Sequence, residues 1–152
     1  VIAAGGVADG RGIAAALMLG ADAAQLGTAF ITCPESAAAP AYRALLADPR
    51  AAHTTVTRAL SGRPARTIRT RFSDEIGPAE AEAPAYPIAY DAGKALATAA
   101  AAKGSPEFQA AWAGQHVVRE RAMDGGALTR ALMADLARII ARTSPPPDPR
   151  AP

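Results

Sequence analysis

Two short apolar runs, each closed by glycine, stand at the start of the chain: Val1-Ile2-Ala3-Ala4-Gly5-Gly6 and Ala23-Ala24-Gln25-Leu26-Gly27-Thr28. Their glycines Gly6 and Gly27 are 21 positions apart. The residues between them carry helical signals. Asp9 is placed to cap a first turn, Ile13 and Leu17 share a face at i and i+4, and Gly20 suits a stop. Strand, helix and strand at this spacing predict a βαβ unit with a glycine at the carboxyl end of both strands. A backbone amide can approach a phosphate closely only where no Cβ intervenes. The pair therefore reads as one phosphate clamp, and Thr28 adds a hydroxyl that can donate to a phosphate oxygen.

In (β/α)8 barrels the loops after the last two strands form a frequent phosphate site. The fold class expected is α/β: the C-terminal part of a (β/α)8 TIM barrel, its last two βα units, followed by a mainly helical region. A complete barrel takes about 250 residues, against 152 here. The chain opens on Val1 inside an apolar strand, without an initiator Met, which fits a segment of a longer protein. Hydrophobic residues make up 50% of the chain but aromatic residues only 5%, so the apolar fraction is mostly alanine. Such a core is thin per residue, and small domains bury little of their surface.

Three divisions follow along the chain. Residues 1–50 hold the two βα units with the phosphate loops, the second helix starting at Pro40 and running through Leu45 and Leu46. Residues 51–143 form a hairpin or loop and a helical subdomain. Thr54-Thr55-Val56-Thr57 and Thr67-Ile68-Arg69-Thr70 are β-prone, with turn chemistry at Ser61-Gly62-Arg63-Pro64 between them. Residues 76–87 read as an irregular connector, 88–103 as an alanine-rich helix ended by Gly104, and Ser105-Pro106 as the start of another helix through Phe108 and Trp112. Residues 127–142 are the most regular helix, with Leu128, Leu132, Leu136 and Ile139/Ile140 on one core-facing stripe. Residues 144–152 read as a disordered proline-rich tail.

Several other chemistries find little support. Gly10-x-Gly12-x-x-Ala15 matches the loose dinucleotide fingerprint, but the strand-to-helix turn comes earlier, at Gly5-Gly6, and Asp22 arrives too soon for the ribose acid. Cys33 is alone, which excludes an intramolecular disulfide, and reads as a small buried apolar residue. His53 and His116 have no evident partners and read as exposed or structural; no spacing suggests a metal, and no Gly-x-Ser-x-Gly is present. Arg58, Arg63, Arg66, Arg69 and Arg71 are followed by Asp74, Glu75, Glu80, Glu82 and Asp91, which reads as two complementary surfaces. A formal charge of +2, with only Phe72 near the arginines, argues against nucleic acid. No run approaches the roughly 18 apolar residues of a membrane span, and a cytoplasmic setting is expected.

The segments Val1-Ile2-Ala3-Ala4-Gly5-Gly6-Val7-Ala8-Asp9-Gly10-Arg11-Gly12 and Gln25-Leu26-Gly27-Thr28-Ala29-Phe30 closely resemble nitronate monooxygenases, formerly called 2-nitropropane dioxygenases. Two later segments fit as well: Val56-Thr57-Arg58-Ala59-Leu60-Ser61-Gly62-Arg63-Pro64-Ala65-Arg66 and Trp112-Ala113-Gly114-Gln115. The glycine pair alone is also similar to other phosphate-binding barrels, such as IMP dehydrogenase; the two later segments favour this family. The resemblance implies an FMN-dependent barrel in which Gly6, Gln25, Leu26, Gly27 and Thr28 hold the phosphate end of FMN. It implies oxidation of an alkyl nitronate with O2, releasing nitrite and an aldehyde or ketone. The family's catalytic histidine lies in a glycine-rich motif that neither His53 nor His116 matches, so no catalytic residue is carried over. The chain departs from many relatives at Ala29, where they have arginine. An FMN-dependent enoyl-acyl-carrier-protein reductase and a non-catalytic FMN- or phosphate-binding segment are the alternatives. Oligomeric state is left open.

Overall fold

The structure, a computed structural model, describes residues 1–117 and 123–143. The proline-rich tail expected at 144–152 lies outside the described residues. The architecture is mixed α/β. Strand β1 (Ile2–Ala4) pairs in parallel with β2 (Ala23–Gln25), with Ile2 opposite Ala23 and Ala4 opposite Gln25. Helix α1 (Gly10–Met18) makes the crossover. Asp9 caps it as its sequence position suggests: the Gly12 N–H donates to Asp9 Oδ1 at 2.9 Å. Gly20, at φ +94°, ends it, its N–H donating to the Leu17 carbonyl at 3.0 Å.

Beyond β2 comes a short helix that the sequence does not announce, α2 (Thr28–Ile31). Helix α3 (Pro40–Ala47) begins at the expected proline, and a 3₁₀ turn at Pro49–Ala52 leads to the hairpin. Strands β3 (Thr54–Thr57) and β4 (Ala65–Ile68) are antiparallel, with Thr54 opposite Ile68 and Thr57 opposite Ala65. Their turn needs Gly62 for two reasons. Its φ is +81°, and a Cβ there would stand 2.5 Å from the Pro84 carbonyl oxygen. A π-helical turn (Phe72–Ile76) and a 3₁₀ turn (Gly77–Glu82) occupy much of the stretch expected to be irregular. Helix α4 (Ile88–Ala101) follows, and Gly104 at φ +72° closes its end.

The helix expected from Ser105 through Trp112 is absent. That segment turns and then runs beside β4, with an antiparallel bridge between Thr67 and Trp112. The Ile68 N–H donates to the Ala111 carbonyl at 2.9 Å, and the Ala113 N–H to the Arg66 carbonyl at 3.1 Å. Ala111 and Ala113 are buried. Small residues let this backbone lie against β4, whose ladder supplies the hydrogen bonds that a helix would otherwise have supplied.

Helix α5 (Gly125–Thr143) carries the expected stripe. Leu128, Leu132 and Leu136 are buried against Ile13, Ala14 and Cys33, with Ile139 packed alongside, whereas Ile140 is exposed. Burying one such leucine is worth about 1.5–3 kcal/mol. Gly10 sits where α1 crosses α5: a Cβ there would lie 2.5 Å from Asp135 Cβ and 2.7 Å from the Leu136 nitrogen. Close helix packing, rather than a ligand, therefore accounts for this glycine. Two further clusters complete the core, one around Leu45, Leu46 and Ile68, the other around Leu60 and Phe72. The charged stretches meet as expected. Arg69 pairs with Asp74 at 2.9 Å, Arg71 with Glu75 at 2.6 Å, and the Arg58 N–H donates to Glu80 at 2.8 Å.

Two stability predictions follow from these contacts. Gly10→Ala should force α1 away from α5 and cost about 1–3 kcal/mol in urea unfolding. Gly77→Ala, where a Cβ meets nothing within 4 Å, should stay within about 0.5 kcal/mol of the parent. Equal midpoints for the two variants would contradict the close approach. The second concerns Asp9, whose carboxyl is held below the usual carboxylate range, chiefly by the hydrogen bond from the Gly12 N–H, with burial opposing and Arg11 assisting. A folded-state value below the unfolded one means a contribution fully present above about pH 4 and lost as pH falls through the folded value. Asp9→Ala should therefore cost about 0.5–2 kcal/mol near pH 7. The gap from the parent should narrow as the unfolding experiment is repeated at progressively lower pH below 4; a gap that widens would show the sign to be wrong.

Candidate functional site

Both strands of the parallel pair point their carboxyl ends into one hollow of about 260 Å³. Gly5 and Gly6 line it from the loop after β1; Gln25, Gly27 and Thr28 line it from the end of β2. The two glycines singled out in the sequence thus share a cavity. Gly5 and Gly6 have φ of +90° and +73°, a region that L side chains rarely adopt, so the turn itself requires them. Leu26 alternates away: its side chain packs into the α1–α5 core and does not line the hollow. Any part it takes in the site runs through its backbone.

Gly27 is different. Its φ of −104° and ψ of −66° are an ordinary right-handed backbone, open to any residue. A Cβ built there meets no protein atom within 4 Å. Neither conformation nor internal packing asks for glycine at this position. The position is open to close approach from the hollow, the access that a bound phosphate requires of a backbone amide. A phosphate-bearing cofactor such as FMN fits these residues on that ground. The hollow is smaller than the ~300–1,000 Å³ of complete small-molecule sites, so it suits one end of such a molecule.

A third segment closes the hollow, and nothing in the spacing of the two glycines announces it. Gly114 packs on Gly6 so tightly that a Cβ would stand 3.0 Å from the Gly6 nitrogen. The Gly114 N–H donates to Thr28 Oγ1 at 2.9 Å, across 86 positions of chain. That bond fixes the Thr28 hydroxyl as an acceptor on one side. Its proton has no recipient among the described residues, which leaves it to donate into the hollow. His116, read from sequence as lacking partners, lines the same hollow. The pattern Trp112-Ala113-Gly114-Gln115 marked the segment as distinctive, but only pairing with β4 brings it here. His53 lies elsewhere, in a cavity with Arg50, Arg69 and Arg71.

Larger cavities exist; one of about 420 Å³ adjoins the hollow at Gly27 and presents the Glu35 carboxylate, which would repel a phosphate. The one holding His53 is about 350 Å³. Its guanidiniums are already occupied: Arg50 by Glu107 at 2.7 Å, Arg69 by Asp74 and Arg71 by Glu75. Another of about 310 Å³, between α3 and the end of α4, is walled by Ala41, Ala44, Ala97 and Ala101 together with Asp48, Arg50 and Gln109. Burial pushes the Cys33 thiol up, so it stays a protonated apolar group, as its sequence setting suggested. Among the described residues no group of three His, Cys, Asp or Glu side chains could hold a metal ion. Among them, too, no helix is long and apolar enough to cross a membrane.

Comparison with known proteins agrees with the resemblance read from the four sequence segments. The family described as nitronate monooxygenase matches residues 1–135. The nitronate monooxygenase of Pseudomonas aeruginosa is 52% identical over 137 residues, covering 90% of this chain and 39% of the relative. That of Paraburkholderia phytofirmans is 49% identical over 142 residues, covering 92% and 38%. Among solved structures, the nitroalkane oxidase of Streptomyces ansochromogenes superposes with a TM-score of 0.86 at 44% identity, over 93% of this chain and 40% of that one. FabK from Thermotoga maritima superposes at 0.75 and 33%, over 93% and 45%. The chain thus spans about two fifths of the length of the curated relatives it matches. With residues 1–135 inside one family's pattern and half of the aligned positions identical to its members, the chain belongs to the nitronate monooxygenase family.

Proposed function

We propose that this chain is the C-terminal, phosphate-gripping part of an FMN-dependent (β/α)8 barrel that oxidises alkyl nitronates with O2 to a carbonyl compound and nitrite. The observation that carries the reading is the shared hollow: the loops after β1 and β2 bring Gly6, Gly27 and Thr28 to one cavity, with no described atom crowding a Cβ at Gly27. Family membership supports the reaction. The parallel pair, with both loops entering one hollow at its carboxyl end, supports the barrel.

In this reading Gly6, Gln25, Gly27 and Thr28 hold the phosphate end, Leu26 contributing only backbone. Gly5 and Gly6 turn the chain so that nothing bulkier than hydrogen faces the ligand from that side. Thr28 donates its hydroxyl proton to a phosphate oxygen while accepting from Gly114. Gly114 thereby holds the clamp's two halves in register. When bound, FMN supplies the electron acceptor for nitronate oxidation. No side chain of this chain is assigned as the catalytic base. The partners are the small-molecule nitronate and O2.

A chimera tests the reading: the segment of the Pseudomonas aeruginosa relative that this chain matches is exchanged for this chain. The chimera should bind FMN, take up O2 with propyl nitronate and release nitrite. Gly27→Val in it should raise the FMN dissociation constant about tenfold or more, from losing one or two charge-assisted bonds of about 1.5–3 kcal/mol each. Equal flavin occupancy in both, read by absorbance after gel filtration, would count against the clamp. NADH oxidation driven by an enoyl thioester, in place of nitrite release, would select the reductase alternative.

The 152-residue chain by itself should show no nitronate oxidation, with or without added FMN, since neither histidine stands in the family's catalytic motif. Acid–base assistance of that kind is typically worth about 10²- to 10⁴-fold. Turnover by the chain alone that His53→Ala or His116→Ala abolishes would overturn this.

A further inference from the structure

The hollow has an unbalanced charge problem. A phosphate monoester carries about −1.5 to −2 charges near neutral pH. The glycine amides and the Thr28 hydroxyl offer hydrogen bonds but no full positive charge, and among the described residues no lysine or arginine lines the hollow. Among the described residues that line it, His116 brings an imidazole, whose ring N–H can donate to a phosphate oxygen. We infer that His116 is a phosphate-binding residue of this chain, its ring N–H donating to the terminal phosphate of a flavin mononucleotide. The inference rests on the function proposed above and assigns to it a residue from a third segment of chain.

Three observations support the placement. His116 is exposed and lines the hollow. It sits two residues after Gly114, whose contacts with Gly6 and Thr28 hold the segment over the mouth of the clamp. Asp9, a charged neighbour of the ring, is already engaged by the Gly12 N–H at 2.9 Å and by Arg11 at 3.2 Å. The imidazole therefore meets a carboxylate largely satisfied elsewhere and keeps its hydrogen-bonding capacity for the hollow. Hydrogen bonds to an ionised phosphate are of the charge-assisted kind, stronger than neutral ones.

Riboflavin, which lacks the phosphate, separates this role from a structural one. Flavin-fluorescence titrations use the chain as it stands and the chimera above, with FMN and riboflavin as probes. The parent should prefer FMN. His116→Ala should weaken FMN by roughly tenfold, the loss of one charge-assisted bond, with riboflavin affinity left within about twofold. His116→Lys, a fixed cation at the same place, should restore the preference. Loss of FMN and riboflavin affinity in parallel would make His116 a structural residue and overturn the inference. So would an unchanged FMN affinity in His116→Ala, or a His116→Lys variant no better than alanine. These failures differ from failure of the parent reading, in which the unmutated protein shows no preference for FMN over riboflavin.

Discussion

The contact between Gly114 and the pair Gly6–Thr28 is the constraint on which the site depends. A single hydrogen bond of 2.9 Å and a backbone approach that leaves no room for a Cβ join the βαβ unit to a segment 86 positions away. Each side explains the other. The strand-end loops need a wall, and the Trp112–Gln115 segment needs somewhere to lie once β4 has drawn it into extended backbone. A Cβ at position 114 would crowd the Gly6 nitrogen at 3.0 Å, and a side chain at position 6 would meet a left-handed backbone, so either replacement would strain this wall of the hollow. The Trp112 carbonyl is held from behind by the Tyr42 hydroxyl, whose pKa burial pushes up to about 12, so it remains a donor at any physiological pH. The third wall is thus anchored on α3 as well as β4.

A second long-range contact holds the first unit together. Helix α5 lies on α1, and its three buried leucines do most of the covering. Gly10 permits the approach. Three classes of glycine thus appear in one short stretch of chain: Gly5 and Gly6 for their backbone angles, Gly10 for helix packing, and Gly27 for neither. Gly5, Gly6 and Gly27 share the hollow, whereas Gly10 serves the helix contact alone.

Surface electrostatics contribute little to this arrangement. The arginine-rich and acidic stretches neutralise one another through exposed pairs such as Arg69–Asp74 and Arg71–Glu75, which solvent screening keeps weak. Glu80 does more locally, accepting from both the Thr57 hydroxyl at 2.7 Å and the Arg58 N–H at 2.8 Å, which ties the hairpin to the turns after it. Hydrogen bonds to those donors hold its carboxyl below the usual range.

The local features were legible in the residues themselves. Asp9, Gly20, Pro40 and the leucine stripe of α5 each encode their element through capping, backbone freedom or periodicity, which act within a few positions. The parallel pairing of β1 and β2 followed from the same short span. What tertiary structure alone decided was where distant segments land. Residues 105–112 carry helix-start signals, yet the open edge of β4 outbid them, because a strand edge satisfies a whole row of backbone groups at once. That pairing delivers Gly114 and His116 to the hollow, and no spacing in the sequence foretells it. Leu26 shows the reverse: it sits within the expected site by position, but strand alternation turns its side chain into the core. Residue identity set the chemistry available; the long-range contacts set which of those groups face one another.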